Sequence, residues 1–148
     1  MPIQVDWDNP EKTIVRFIYT GKWTWDEFYE VITRANEMMD TVEKPVVSII
    51  DQTASPYLPP NAALHIRNVI RMSMSHNNSG ISIFLKADTV GKMMIDILSQ
   101  TYPDIRDNTT WHFTQNIEDA RKIANECVQR IHSALANDST TSEGGETS

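Results

Sequence analysis

This sequence has little that could form a disulfide, a multi-cysteine zinc site or a membrane helix. Cys127 is the only cysteine among 148 residues, so an intramolecular disulfide and a zinc site of several cysteines are excluded. No apolar run approaches the roughly 18 residues that a membrane-spanning helix needs. The N-terminus, MPIQVDWDNP, lacks the basic and long apolar regions of a secretory signal. These absences favour a cytoplasmic globular domain in which Cys127 is a core residue.

The chain is also short of positive charge. It has 13 Lys and Arg against 20 Asp and Glu, a formal net charge of −7. Because nucleic-acid affinity depends largely on positive charge, nucleic acid is not expected as a partner. The last twelve residues, NDSTTSEGGETS, contain no hydrophobic residue that could offset the entropy of ordering them. We therefore predict one folded domain over residues 1–136 and a disordered polar tail over residues 137–148.

Motifs of catalysis and metal binding are missing as well. The nucleophile elbow GxSxG, the phosphate loop GxxxxGK[ST], the dinucleotide motif GxGxxG and the zinc motif HExxH do not occur. His65 and His76 are eleven residues apart on one predicted helix, about three turns, which is too far for a shared metal ion. We therefore expect no catalytic residue, no metal site and no cofactor, and a protein that is not an enzyme.

What the sequence does contain is an alternation of strand and helix patterns. Residues 3–7 and 13–20 predict a β-hairpin with Asp8-Asn9-Pro10 at its turn. The runs VVSII and ISIFLKA and residues 111–114 predict three further strands, and apolar residues at helical spacing follow the last four strands. The predicted order is β-β-α-β-α-β-α-β-α. It indicates an α/β fold with a mostly parallel central sheet and an antiparallel N-terminal hairpin.

Local signals predict where several helices begin. Thr24 and Glu27 fit a capping box, and Trp23 and Phe28 fit the hydrophobic staple that packs across a helix start. A third helix is predicted to begin at Asp88 and to end at Tyr102-Pro103. The last helix should be capped by Asn116 and bury a face made of Ala120, Ile123, Ala124, Cys127, Ile131 and Leu135.

The second helix, from about Asn61 to His76, follows a loop with three prolines. On a helical wheel with 100° per residue, one side of this helix is expected to face the sheet. That side carries Ala62, Ala63, Ile66, Val69, Ile70 and Ser73. The other side carries Leu64, Arg67, Asn68, Arg71, Met72 and Ser75. Arginine and methionine are enriched in interfaces, so this side is either a partner surface or an ordinary solvated face with scattered apolar residues.

Two further groups are candidates for a site. The aromatic residues Trp23, Trp25, Phe28 and Tyr29 could line a small-molecule pocket, with Trp7 and Trp111 as further walls, or belong to the core. Asp51 and Lys86 lie at the ends of two predicted neighbouring strands, about 4.8 Å apart, and could form an ion pair. The alternative for Asp51 is a structural pair or an Asx-type turn.

The chain resembles the STAS-type domains of sulphate transporters and anti-sigma-factor antagonists, especially the bacterial antagonist-like branch. The resemblance covers residues 3–135 and rests on TIVRFIYTGKWTWDEFYEVI, PVVSIIDQT, GISIFLKA and NIEDARKIANECV. In phospho-switch antagonists, a Ser or Thr that opens the second helix is phosphorylated by a kinase partner. The matching position, counted from Asp51, is Asn61, which cannot be phosphorylated there but is expected to cap the helix. Thr53 and Ser55 lie earlier in the loop and do not match the motif.

This resemblance implies a non-enzymatic regulatory or protein-interaction domain. The residues expected to bind a protein partner are Asp51, Tyr57, Leu58, Asn61, Leu64, Arg67, Asn68 and Arg71. The alternative function is binding of a small, apolar ligand, for which the expected residues are Trp23, Trp25, Tyr29 and Lys86. A homodimer is also left open, because symmetric pairs are the commonest homo-oligomers.

Overall fold

A computed structural model describes residues 2–55, 57–86, 92, 96, 98 and 100–147. One five-stranded sheet has the order β1-β2-β3-β4-β5. Its strands are β1 (Ile3–Trp7), β2 (Ile14–Tyr19), β3 (Val46–Asp51), β4 (Asn78–Leu85) and β5 (Thr110–Thr114). The first pair of strands is antiparallel and the other neighbouring pairs are parallel. The predicted α/β fold, with a mostly parallel sheet and an N-terminal antiparallel hairpin, is therefore confirmed.

Four helices lie within the described residues over their whole length, namely α1 (Trp25–Met39), α2 (Ala62–Ser73), α3 (Pro103–Asn108) and α4 (Ile117–Thr147). The helix predicted to begin at Asp88 lies mostly outside the described residues, although Lys92, Asp96, Leu98, Gln100 and Thr101 are helical. Helix α4 takes in the polar segment 137–147, whose disorder stays a prediction. No helix among the described residues has the length and hydropathy of a membrane span.

The hairpin turn is organised by the side chain of Asn9. Its Oδ1 accepts hydrogen bonds from the backbone N–H groups of Thr13 (3.0 Å) and Ile14 (3.3 Å). Asparagine suits this position because its short amide can replace part of a backbone turn. The carboxylate of Asp8 accepts two hydrogen bonds of 3.0 Å from Arg121, which tie the hairpin to α4. The predicted turn at these residues is confirmed.

The start of α1 follows its sequence signals. The hydroxyl of Thr24 accepts a hydrogen bond from the backbone N–H of Glu27 (3.2 Å), and the Glu27 carboxylate accepts one from the Thr24 backbone N–H (3.1 Å). The rings of Trp23 and Phe28 stack with centroids 5.4 Å apart. The predicted capping box and staple are both confirmed, and they fix the position of the aromatic residues described below.

Helices cover the sheet on both faces. The core that includes α1 and Val69 of α2 lies against one face, and the core that includes α4 lies against the other. Cys127 is buried in the second core, as predicted. The predicted burial of Leu135 is wrong, since this residue is 41% exposed. The last α4 residue packed against that core is Ile131, so Leu135 lies beyond the sheet-facing part of the helix.

Candidate functional site

A cavity of about 350 Å³ lies between α1, α2 and the sheet. This volume falls in the range of small-molecule sites, about 300–1,000 Å³. Seven of its lining side chains are aromatic, and they come from β2, the start of α1, β4 and β5. They are Phe17, Tyr19, Trp23, Trp25, Phe28, Phe84 and Trp111.

Two tryptophans of this wall also hold the proline-containing loop that precedes α2. The indole N–H of Trp23 donates to the carbonyl of Tyr57 (3.1 Å), and that of Trp25 donates to the carbonyl of Pro60 (2.6 Å). Buried indole N–H groups require such partners. The loop residue Leu58 lines the cavity as well. The aromatic residues and the loop, which the sequence presents as separate candidates, therefore meet at one place.

The remaining wall is partly aliphatic and partly made of uncharged polar side chains, among them Asn36 of α1, Ser48 of β3, Ser73 of α2 and Ser82 of β4. Asn36 is only 4% exposed, and its Oδ1 has no hydrogen-bond partner. Leaving a buried acceptor unpaired costs about 1–3 kcal/mol. The cavity thus combines an aromatic part with a polar part that has unused hydrogen-bonding capacity.

The described cavity wall contains no Lys, Arg, His, Asp or Glu. Its one phenol that could ionise is Tyr19, which is 3% exposed. Burial raises the pKa of Tyr19 well above its usual range, because the charged form would lose its hydration. The described wall is therefore uncharged at neutral pH.

Tyr29 and Lys86, the two other predicted ligand residues, are not among the described residues that line the cavity. The Tyr29 hydroxyl lies 2.8 Å from His65 Nδ1 and accepts a hydrogen bond of 3.3 Å from the Asn68 amide. Tyr29 therefore joins α1 to α2. Lys86 is exposed and lies at a separate cleft of about 240 Å³, which it shares with Asp51.

Asp51 pairs with Arg16 and not with Lys86, so the ion pair considered from the sequence is wrong. Arg16 Nε donates to Asp51 Oδ2 at 3.2 Å, and the same guanidinium makes a second contact through Nη2. The Thr53 backbone N–H donates to Asp51 Oδ1 at 3.0 Å, which is an Asx-type turn. Burial acts to raise the pKa of Asp51, but the hydrogen bonds from Arg16 and Thr53 outweigh it and lower the pKa. This arrangement matches the structural alternative.

The outer side of α2 is only partly free for a partner. Leu64 and Met72 are 49% and 39% exposed. Arg67, however, donates to the Tyr102 hydroxyl (3.3 Å) and to the Asn68 side-chain carbonyl (2.8 Å). The guanidinium carbons of Arg67 and Arg71 also lie 5.2 and 5.3 Å from the centroid of the Tyr102 ring. Three of the predicted partner residues therefore make contacts within the chain.

The loop residues predicted for partner binding have different surroundings. Tyr57 is 36% exposed, and the ammonium group of Lys22 lies 5.9 Å from its ring centroid. Asn61 makes no side-chain hydrogen bond to α2, so its predicted capping role is wrong. Its backbone is left-handed, with φ of 64°, whereas a capping side chain acts from an extended backbone. Asparagine tolerates this left-handed conformation better than most residues do.

Asn36 was not predicted as a site residue, although the sequence indicates that it lies on a buried face. At 100° per residue, Asn36 lies about 80° from Phe28 and about 40° from Ile32, on the buried side of α1. A polar amide on such a face predicts either a buried hydrogen bond or a polar site. Helical periodicity therefore locates Asn36, but it does not locate the empty volume beside it.

Comparisons with known proteins identify no family for this chain. No protein-family model, curated protein or solved structure matches it. Among the described residues there is also no cluster of three or more His, Cys, Asp or Glu that could hold a metal ion. The resemblance to STAS-type domains therefore stays an expectation, and the function has to be argued from the geometry of the site.

Proposed function

We propose that this chain binds a small, mostly apolar molecule in the cavity between α1, α2 and the sheet. The observation that supports this function most strongly is the combination of about 350 Å³ of volume, an aromatic and aliphatic wall and neutral polar groups. Side chains beside an unfilled volume lose dispersion contacts, and a ligand that restores them stabilises the folded state. The proposed function is therefore binding of the ligand.

The aromatic wall is held in place before any ligand arrives. Trp23 and Trp25 meet edge to face with ring centroids 4.9 Å apart, and Trp25 stacks on His65 at 4.7 Å. Both indole N–H groups are already bonded to loop carbonyls. Side chains that are ordered in advance lower the entropic cost of binding. The wall therefore favours a flat or hydrocarbon ligand of modest size.

Native mass spectrometry of freshly purified protein tests this proposal. We expect an additional small mass on the wild type and its loss in Ala35→Leu, because Ala35 is buried and lines the cavity. Glu37→Leu is the matched control, since Glu37 is exposed on the same helix. Its bound mass should equal that of the wild type. A wild type without bound mass that also fails to bind naphthalene-sized probes would contradict the proposal.

The second candidate function is the regulatory protein interaction that the STAS resemblance implies. The observation in its favour is that Leu64 and Met72, about 80° apart on α2, are exposed. Leu64→Ser with Met72→Ser is a sharper test than changing Arg67 or Arg71, which contact Tyr102. Unchanged recovery of partner proteins in a pull-down would count against this surface. Light scattering of the same variant tests whether the surface forms a homodimer.

A further inference from the structure

The amide oxygen of Asn36 is the one described cavity group that calls for a specific partner. Asn36 lines the cavity and is 4% exposed, and its Oδ1 receives no hydrogen bond. An amide oxygen can accept two hydrogen bonds, and buried acceptors in folded proteins are nearly always paired. A ligand that brings a hydrogen-bond donor to this oxygen would satisfy it.

The charge of that donor group is limited by the wall around it. None of the described lining residues is acidic or basic, and the Tyr19 phenol is kept neutral by burial. A buried charge without an opposite charge is strongly disfavoured. Carboxylate, phosphate and ammonium ligands are therefore poor occupants, whereas a hydroxyl or amide N–H group can be buried once it is bonded.

The sheet supplies a polar floor near the aromatic wall. Ser48 of β3 and Ser82 of β4 are register partners, and both line the cavity. Each hydroxyl can donate and accept, so together they can bond a polar end of a ligand that is either a donor or an acceptor. The aromatic residues Trp23, Trp25 and Phe28 remain for the apolar body. The cavity thus has a polar part on the sheet and an aromatic part formed by these three side chains.

We infer that the ligand of this cavity is an uncharged molecule with an apolar body and a hydroxyl or amide N–H group that donates a hydrogen bond to Asn36 Oδ1. The inference rests on the proposed ligand-binding function and adds the chemical class of the ligand. Asn36 then selects the ligand by its donor, while the aromatic wall provides most of the contact area.

Three naphthalene compounds of similar size test the inference by isothermal titration calorimetry. The probe 2-naphthol has a hydroxyl donor, 2-methoxynaphthalene has the same rings without a donor, and 2-naphthoate carries a charge. Wild-type protein should bind 2-naphthol about tenfold more tightly than 2-methoxynaphthalene, the ratio that one hydrogen bond supports. It should bind 2-naphthoate most weakly. This ratio is measured on the wild type, so it tests whether the cavity prefers a ligand with a hydrogen-bond donor even if a variant fails to fold.

Two leucine variants assign the preference to Asn36. Asn36→Leu should reduce the ratio between the first two probes from about tenfold to roughly twofold or less, because the acceptor is gone. Glu37→Leu adds the same side chain at an exposed position of α1 and should keep the wild-type ratio. Thermal melts of both variants confirm that they are folded.

The outcomes separate this inference from the proposed function. Equal binding of all three probes by the wild type, or a preference that survives in Asn36→Leu, would overturn the role of Asn36 and leave ligand binding intact. Tightest binding of 2-naphthoate would overturn the assignment of an uncharged ligand. Absence of binding for every probe would overturn the inference, and if native mass spectrometry also finds no bound mass, the proposed function fails with it.

Discussion

The two faces of the central sheet are packed in different ways. On the α4 face, small residues such as Ala120 and Ala124 bring the helix close to β3 and β4, and both are fully buried. On the other face, α1 and α2 enclose a cavity of about 350 Å³ with polar atoms in its wall. One chain thus has a filled face, which supplies stability, and a face with unfilled volume, which is suited to a ligand.

The largest difference is expected from two neighbouring isoleucines of β3. Ile49 points toward α4 and is fully buried, whereas Ile50 points to the cavity and is partly buried. Ile49→Ala should lower the free energy of unfolding by about 4 kcal/mol, because it opens a new hole in a filled core. Ile50→Ala should cost only about 1–2 kcal/mol, since its side chain already borders empty volume. Urea denaturation measures both, and equal losses would contradict the comparison.

Enlarging a buried alanine should have opposite consequences on the two faces. Ala124 on α4 and Ala35 on α1 are 0% and 1% exposed. Ala124→Leu should destabilise the protein by about 2–3 kcal/mol, because overpacking displaces α4 from the sheet. Ala35→Leu extends into the cavity and should change the stability by less than about 1 kcal/mol. If thermal melting ranks Ala35→Leu as the more damaging variant, the cavity is not available to a larger side chain.

The Asp51–Arg16 pair predicts a dependence of stability on pH. Because the pKa of Asp51 is lowered in the folded state, its contribution is present above the unfolded value of about 3.9 and is lost as the pH falls through the folded pKa. Asp51→Asn should therefore cost about 2 kcal/mol at pH 7, and less near pH 3. Urea denaturation at the two pH values measures this difference.

The control for the acid prediction is Glu37→Gln, since Glu37 is an exposed carboxylate on α1. Its effect on the free energy of unfolding should stay within about 0.5 kcal/mol at both pH values. If Asp51→Asn loses as much free energy of unfolding at pH 3 as at pH 7, the Asp51–Arg16 pair does not set the acid sensitivity.

The smallest effect on stability is expected at the exposed apolar residues of α2. Leu64→Ser and Met72→Ser should each change the free energy of unfolding by less than about 0.5 kcal/mol, because both residues are exposed on the surface. Arg67→Glu should cost more than either, since it breaks hydrogen bonds to Tyr102 and Asn68. If the denaturation midpoint of Leu64→Ser is lower than that of Arg67→Glu, the assignment of these contacts is contradicted.

Periodicity and local signals predict most of the fold because they depend on neighbouring residues. The capping box at Thr24 and Glu27 and the continuous apolar run of β3, which is covered on both faces, follow directly from the chain. The backbone conformation of Asn61 cannot be predicted in this way, because asparagine both caps helices and adopts the left-handed conformation. The choice between the two depends on the loop, which Trp23 and Trp25 hold through contacts more than thirty residues away.

The site is less predictable than the fold, because it depends on which elements meet. Asp51 lies on a strand with two neighbours, and local pattern does not decide whether β2 or β4 supplies its cation. The helical wheel places Arg67 on the outer side of α2, yet it gives no information that Tyr102 covers part of that side. The aromatic residues of the cavity are visible in the sequence, whereas its volume depends on how far α1 and α2 stand from the sheet.

The tryptophan indole N–H signals in an NMR titration test ligand binding most directly. Trp23, Trp25 and Trp111 line the cavity, and Trp7 is not among its described lining residues, so the chain contains its own control. On addition of 2-naphthol, we predict saturable shifts of the three cavity signals, while the Trp7 signal stays in place. Unchanged cavity signals at saturating probe, or a Trp7 shift as large as theirs, would contradict binding in this cavity.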